Sequence, residues 1–389
     1  MTTQVPETGE IRPLTTLRAL AALLVFLFHY AVMAAPDQGH GVFLRAVWAH
    51  GYLGVPMFFV LSGFLLVRLY FDALRDRRVG LRTFLWRRIA RIWPLFLALA
   101  LVQHLAAWAL GRQAPDAGWL VTLTMSQGWF AGALYQGLPQ AWSLTIEETF
   151  YVLVPAICLV IDVAVFGGRR SAELGRAQWG RLLAVLALLV VSAVLLGELA
   201  WRVADALGWH WHGFLADRDH MLRMTLAGRL PEFMVGVAAA FVHRDGRLLA
   251  GRAGRLAGST TVLLVAALGV MLALKDSAPS GWQYALHLGV AGATGLLILA
   301  LCLDHRPARL LGSPPLVYLG RVSYAFYLIQ LTVIADVASR VADHAGPARL
   351  PVLFALLTAV SAACYEGLEK PARRWLVTRL AGVPARNGS

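Results

Sequence analysis

The sequence predicts an all-α, polytopic membrane protein with about ten transmembrane helices. Three observations carry this. Of 389 residues, 58% are hydrophobic and only 15% charged, where a soluble domain has about a quarter charged residues. Apolar runs close to 20 residues recur along nearly the whole chain, and a run of that size spans the hydrocarbon as a helix. The basic residues gather in connections between those runs, the pattern that orients membrane helices.

The expected spans are 14–35, 51–71, 92–111, 141–166, 181–201, 224–242, 259–275, 284–303, 316–338 and 350–368. The connection after the second holds Arg68, Arg75, Arg77, Arg78, Arg82, Arg87, Arg88 and Arg91. Those after the fourth and sixth hold Arg169, Arg170, Arg176 and Arg181, then Arg244, Arg247, Arg252 and Arg255. The tail adds Lys370, Arg373, Arg374, Arg379 and Arg386. Alternate connections mix in acids such as Asp37, Asp116 and Asp276. Both termini are therefore expected in the cytoplasm. Pro36 directly after "AVMAA" is a poor cleavage site, so the first span is read as uncleaved. The net charge of +13 comes from these loops, and no folded basic module for nucleic acid is visible. Cys158, Cys302 and Cys364 are scattered in apolar runs without metal-like spacing and read as packing residues. His210 and His212 read as an interface belt; their spacing is poor evidence for zinc. No metal is expected.

The first helix carries two costly residues, Arg18 and His29. Eleven positions apart, they face the same way and stand about 16 Å apart along the axis. Arg18 lies near the cytoplasmic end and can snorkel. His29 lies deep, toward the outer side. It is either a packing histidine bonded to a neighbour or a functional group. The fourth span opens with "AWSLTIEETFY". Entering from outside, it would bring Glu147 and Glu148 to the depth of His29, and a carboxylate that orients an imidazole makes a base pair. Ser143 with Glu147 also fits a helix-start capping pattern, which leaves Glu148 unexplained. At the opposite face, Arg87, Arg88 and Arg91 crowd the start of the third span. They read either as plain anchors or as a forked clamp for phosphates. An inner phosphate mouth, a shaft the length of a pantetheine arm and a His/Glu pair at its far end suit an enzyme that takes acyl-CoA from the cytoplasm.

These residues resemble the membrane acyltransferase-3 family. Its arginine, ten residues, histidine pattern falls on Arg18 and His29, and "FFVLSGFLL" (58–66) resembles its second-span signature. Arg88 and Arg91 match its Arg-x-x-Arg element, and "WSLTIEETFY" (142–151) places its glutamate on Glu147. "GRLPEFMVGVAAA" (228–240), "LGRVSYAFYLIQ" (319–330) and "YEGLEKPARRW" (365–375) resemble the later blocks. Two positions depart: Gln330 stands where many relatives have histidine, and Pro56 where some carry an acid. The resemblance implies a family-like transmembrane domain over 1–375 with a cytoplasmic tail over 376–389. It further implies transfer of an acyl group, usually acetyl, from acyl-CoA to a hydroxyl, in a bacterial cytoplasmic (inner) membrane.

On this reading His29 and Glu147 are catalytic, and Arg18, Arg88 and Arg91 bind the donor's phosphates. Glu148, Tyr151 and Arg229 face the substrate. Acyl-CoA is a co-substrate and no cofactor is tightly bound. The expected acceptor is a glycan or lipid-linked saccharide, with a macrolide or other small metabolite as the alternative. A transporter that flips such a molecule is the rival from another class. The expected partners are acyl-CoA, the acceptor and membrane lipids, without nucleic acid.

Overall fold

The computed structural model describes residues 10–34, 48–169, 173–249, 282–303 and 306–380. The regular elements among them are helices: α1 (Arg12–Ala34), α2 (Gly54–Arg75), α3 (Leu81–Ala109), α4 (Ala117–Leu123), α5 (Trp142–Ile161), α6 (Arg176–Ala206), α7 (Arg218–Met224), α8 (Leu226–Asp245), α9 (Trp282–Leu301), α10 (Arg306–Leu311), α11 (Pro314–Ile329), α12 (Val333–Asp343), α13 (Arg349–Cys364) and α14 (Lys370–Leu380). Eight helices among the described residues are long and apolar enough to cross a membrane, or nine spans if one bent pair counts as a span. The expected seventh span, 259–275, lies outside the described residues.

The centre is built on close helix contacts that only glycine allows. α2 packs most extensively on α8. A Cβ on Gly63 would come 2.2 Å from the Phe233 carbonyl oxygen, and one on Gly236 would come 2.1 Å from that of Val60. Small residues let backbones approach where lipid offers no hydrophobic driving force. Phe233 fills the space beside them, stacked on Phe59 and packed on Phe150. α1 lies against α11 through Gly320, whose missing Cβ would strike the Thr15 carbonyl. α6 is outermost, with Leu183, Leu188, Leu195 and Leu196 all exposed. That is the expected surface of a helix whose solvent is lipid.

Three spans differ from the sequence reading. The third is longer: α3 runs from Leu81, so Arg82, Arg87, Arg88 and Arg91 are helical. Its 29 residues extend about 43 Å, beyond a hydrocarbon core of about 30 Å, so charge marked the edge of the bilayer and not the end of the helix. The sixth is two helices that meet at Thr225, which caps α8 by accepting from the Ala227 N–H. The ninth is broken. α11 stops at Ile329 and α12 leaves at 99°. The backbone groups freed by the break are satisfied by side chains: Tyr30 OH donates to the Gln330 carbonyl at 2.5 Å, and Gln103 Oε1 accepts from the Val333 N–H at 2.8 Å. Irregular backbone at this depth is tolerated only when buried in protein, and Gln330 and Thr332 are both buried.

The segment before α5 positions the candidate site. Gln127 and Gln140 are buried, and Gln140 Nε2 donates to the Leu328 carbonyl. Ser143 pairs with Tyr327 OH at 2.7 Å, and Thr145 donates to the Met125 carbonyl at 2.7 Å. The connection dips into the bundle, so α5 begins inside it.

Candidate active site

The sequence-predicted residues fall into two polar clusters at different depths. The first is at the arginine-rich end. A cavity of about 180 Å³ is lined by Arg18 of α1, Arg91 of α3, Arg321 and Tyr324 of α11, Glu369 and Arg373, with Glu10 at its edge. A π turn over Tyr365–Glu369 joins α13 to α14 and sets both its end residues on the wall. Such turns re-aim side chains within a helix and recur at functional sites. Four guanidinium groups line this cavity with two carboxylates, and Glu147 acts on Arg18 from beside it, so positive charge is in excess by one. Glu10 accepts from Arg321 Nη2 at 2.6 Å and Nε at 3.2 Å. That hydrogen-bonded pair holds the Glu10 carboxyl below its ordinary range.

Glu147 belongs to this cluster. Its Oε1 accepts from Ser62 of α2 and from Tyr151 of α5, and it lies within electrostatic reach of Arg18. The expected His29–Glu147 contact is therefore absent among the described residues. The cause is the deep start of α5: counted from an entry at the outer surface, Glu147 would meet His29, but counted from Ser143 beside Tyr327 it meets the arginines. Tyr151 and Glu148, expected at the acceptor, sit here as well. Tyr151 and Tyr70 both lie under the Arg88 guanidinium, which also donates to Tyr70 OH at 3.1 Å. Glu148 is buried beside the Trp93 indole, and the pair falls short of ordinary hydrogen-bond geometry. Arg88 stacks on these rings, while Arg91 lines the cavity.

His29 is in the second cluster. It is half-buried, edge-on to Phe28 at 5.0 Å between ring centroids, and no described side chain hydrogen-bonds to it. Phe28 meets Tyr52, and Tyr52 meets His287 of α9 at 6.0 Å. Arg229 Nη1 lies 2.5 Å from His287 Nδ1 and pairs with Glu232 at 3.3 Å, with both members of that ion pair buried. Arginine can only donate, so His287 accepts at Nδ1 and its neutral ring carries the proton on Nε2. Arg229 thus stands on the His29 side, where a substrate role was expected.

Sequence reasoning missed His287, Glu232, Tyr52, Arg321, Glu369 and Arg373 as site members. His287 and Glu232 satisfied the criterion that selected His29, an ionisable group inside an apolar helix. Arg321, Glu369 and Arg373 lie in the two C-terminal blocks that carried the resemblance, yet nothing in their spacing placed them beside Arg18.

Comparison with known proteins agrees in class. A model described as an acyltransferase domain matches residues 13–366. The chain is 24% identical over 395 residues to the O-acetyltransferase OatA of Staphylococcus aureus, covering 96% of this chain and 58% of that protein. It is also 24% identical over 387 residues to a putative O-acetyltransferase of the same species, covering 92% and 56%. The chain thus spans less than two thirds of the length of the curated relatives it matches. No solved structure matches. With the family model covering nearly the whole helical bundle, the chain belongs to the membrane acyltransferase-3 family.

Proposed function

We propose that this membrane acyltransferase moves an acyl group, acetyl first, from acyl-CoA entering at the arginine-rich end to a hydroxyl held near His29. That end is assigned to the cytoplasm on loop charge, and the acceptor to a glycan or lipid-linked saccharide. The observation that carries the reading is the cavity lined by four guanidinium groups around Arg18, set on the same helix as His29 and eleven residues from it. Forked guanidinium groups suit the phosphates of CoA, and about 16 Å of helix axis leaves the length of an extended pantetheine arm between phosphate and thioester.

His29 in its neutral form takes the proton of the acceptor hydroxyl. The oxygen bonds to the thioester carbonyl carbon, the carbon–sulfur bond breaks, and the sulfur departs with the bonding pair and collects the proton from His29. Arg18 and Arg91 hold the donor, joined by Arg321 and Arg373. Glu147, held by Ser62 and Tyr151, acts on Arg18 electrostatically. Arg88 braces Tyr70 and Tyr151 behind them, with Glu148 nearby. Arg229, fixed by Glu232 and His287, orients the acceptor.

The test is release of free thiol from acetyl-CoA by purified protein, with His29→Ala in parallel and acetyl-CoA binding measured for both. Turnover in the wild type, and its loss in a variant that still binds donor, is the expected result. Equal turnover by His29→Ala would make His29 a packing residue. Donor binding with no turnover, whatever acceptor is supplied, would favour a transporter.

A further inference from the structure

A second cavity, of about 380 Å³, lies between α5, α6 and the α7–α8 pair, apart from both polar clusters. Its walls are hydrocarbon, chiefly Leu153, Ile157 and Val160 of α5, Leu189 and Leu196 of α6, and Leu230 of α8. Along α5 the lining runs from Thr149 to Val160, about 16 Å of helix axis. Leu153, Val160 and Leu196 are exposed on the outer surface of the bundle, so the groove opens sideways to lipid. Its volume is that of a small-molecule site. Its length along the helices and its lack of charge suit a single hydrocarbon chain.

One end of the groove is charged. Beyond Gly197 and Ala200, Arg202 and Arg218 share one carboxylate, Glu198, with both guanidinium Nε atoms at 2.9 Å from its oxygens. Nearby Asp217 is turned back to cap α7, accepting from the His220 N–H at 2.7 Å, and Asp219 is taken by Arg223 at 2.8 Å. Both shared guanidinium groups stay more than half exposed and keep N–H groups for an anion. From this rim a line of polar and aromatic residues leads to the candidate site. Arg223 reaches the electrostatic neighbourhood of Tyr284 on α9. His287 follows one turn along, bonded to Arg229, and Tyr52 and Phe28 complete the way to His29.

We propose that the acceptor is itself an amphiphile: its hydrocarbon chain lies in the α5–α6 groove, its phosphate sits at Arg202 and Arg218, and its hydroxyl-bearing head runs over α7 to Arg229 and His29. This rests on the acyltransferase reading. It goes beyond that reading by giving the acceptor's chain and phosphate their own sites.

The site is tested without catalysis. Phosphatidylglycerol and diacylglycerol, which lacks the phosphate, each with a photoreactive diazirine on one chain, are crosslinked to the protein in nanodiscs and the labelled peptides mapped. Phosphatidylglycerol is expected to label the α5 and α6 lining at least fivefold more than diacylglycerol. Arg202→Gln with Arg218→Gln should bring the two to parity. Ala156→Trp or Ala200→Phe, each filling the groove from an exposed position, should abolish the label. Equal labelling by both lipids in the wild type means annular lipid only and overturns the proposal. The acceptor role is tested by thiol release from acetyl-CoA with glucose 1-phosphate against its dodecyl phosphodiester. The conjugate is expected to have a KM at least tenfold lower, and Ala156→Trp to raise it, with thermal unfolding reporting an intact fold. Equal KM values overturn the acceptor role even where labelling succeeds. A wild type that releases no thiol with either compound sinks the acyltransferase reading, while the labelling result still decides the groove.

Discussion

Ser62 of α2 donates a hydrogen bond to the Glu147 carboxylate of α5, which lies within electrostatic reach of Arg18. If Glu147 serves the donor arginines, Glu147→Gln should weaken acetyl-CoA binding and leave the pH dependence of turnover at saturating donor where it was. A shifted profile in the variant would restore Glu147 as the partner of His29. The measurement is KM and kcat for thiol release across pH.

Glu10 and Arg321 form an ion pair at the edge of the donor cavity. Glu10→Gln frees a guanidinium for phosphate, and acetyl-CoA should bind about two- to fivefold tighter, the scale of an exposed salt bridge. The Glu10 carboxyl is held low by Arg321. A lowered carboxyl keeps its contact above its ordinary pKa and loses it only as pH falls below that value. The gain from Glu10→Gln should therefore be constant from about pH 5 to about pH 8. Titration calorimetry at several pH values checks this, and an effect that fades within that window would contradict it.

Arg229 and Glu232 are both buried. Removing one partner strands the other, so Arg229→Ala should cost about 3–5 kcal/mol of stability. The double variant Arg229→Ala/Glu232→Ala should cost less than Arg229→Ala alone. Thermal unfolding in detergent reads the cycle, and additive losses would mean the pair is not coupled.

Gly236 faces the Val60 carbonyl with no room for a methyl group. Gly236→Ala should destabilise the bundle by about 1–3 kcal/mol, the cost of overpacking, although alanine is the better helix former. Unchanged unfolding would mean that α2 and α8 can separate freely.

The broken ninth span gives a third handle on the fold. Tyr30→Phe removes the donor that satisfies the Gln330 carbonyl and should cost about 1–3 kcal/mol, the penalty of a buried unpaired polar group. A neutral substitution would mean that water or another donor reaches the break.

Much of the helical plan was legible because the bilayer writes it into composition. Eight expected spans fall on helices long and apolar enough to cross a membrane, since each run must satisfy its own backbone hydrogen bonds in lipid. Hydropathy alone missed the break at Gln330, although two buried polar residues, Gln330 and Thr332, marked it. Arg18 and His29 were legible as a pair because helical periodicity fixes their shared face and their separation without any other chain segment.

What the sequence by itself determined is therefore the class, eight of the ten expected spans and the geometry within one helix. What only the tertiary structure decided is which helices bring their side chains to the same depth. Glu147 fell beside Arg18 because buried Gln140 and Ser143 anchor the start of α5 to α11 inside the bundle. Arg321 and Arg373 joined the same cavity through Gly320 and a π turn. Hydropathy records the cost of each residue in lipid one helix at a time. The offset between helices is set by glycine contacts and side-chain hydrogen bonds between distant segments, and no local pattern carries it.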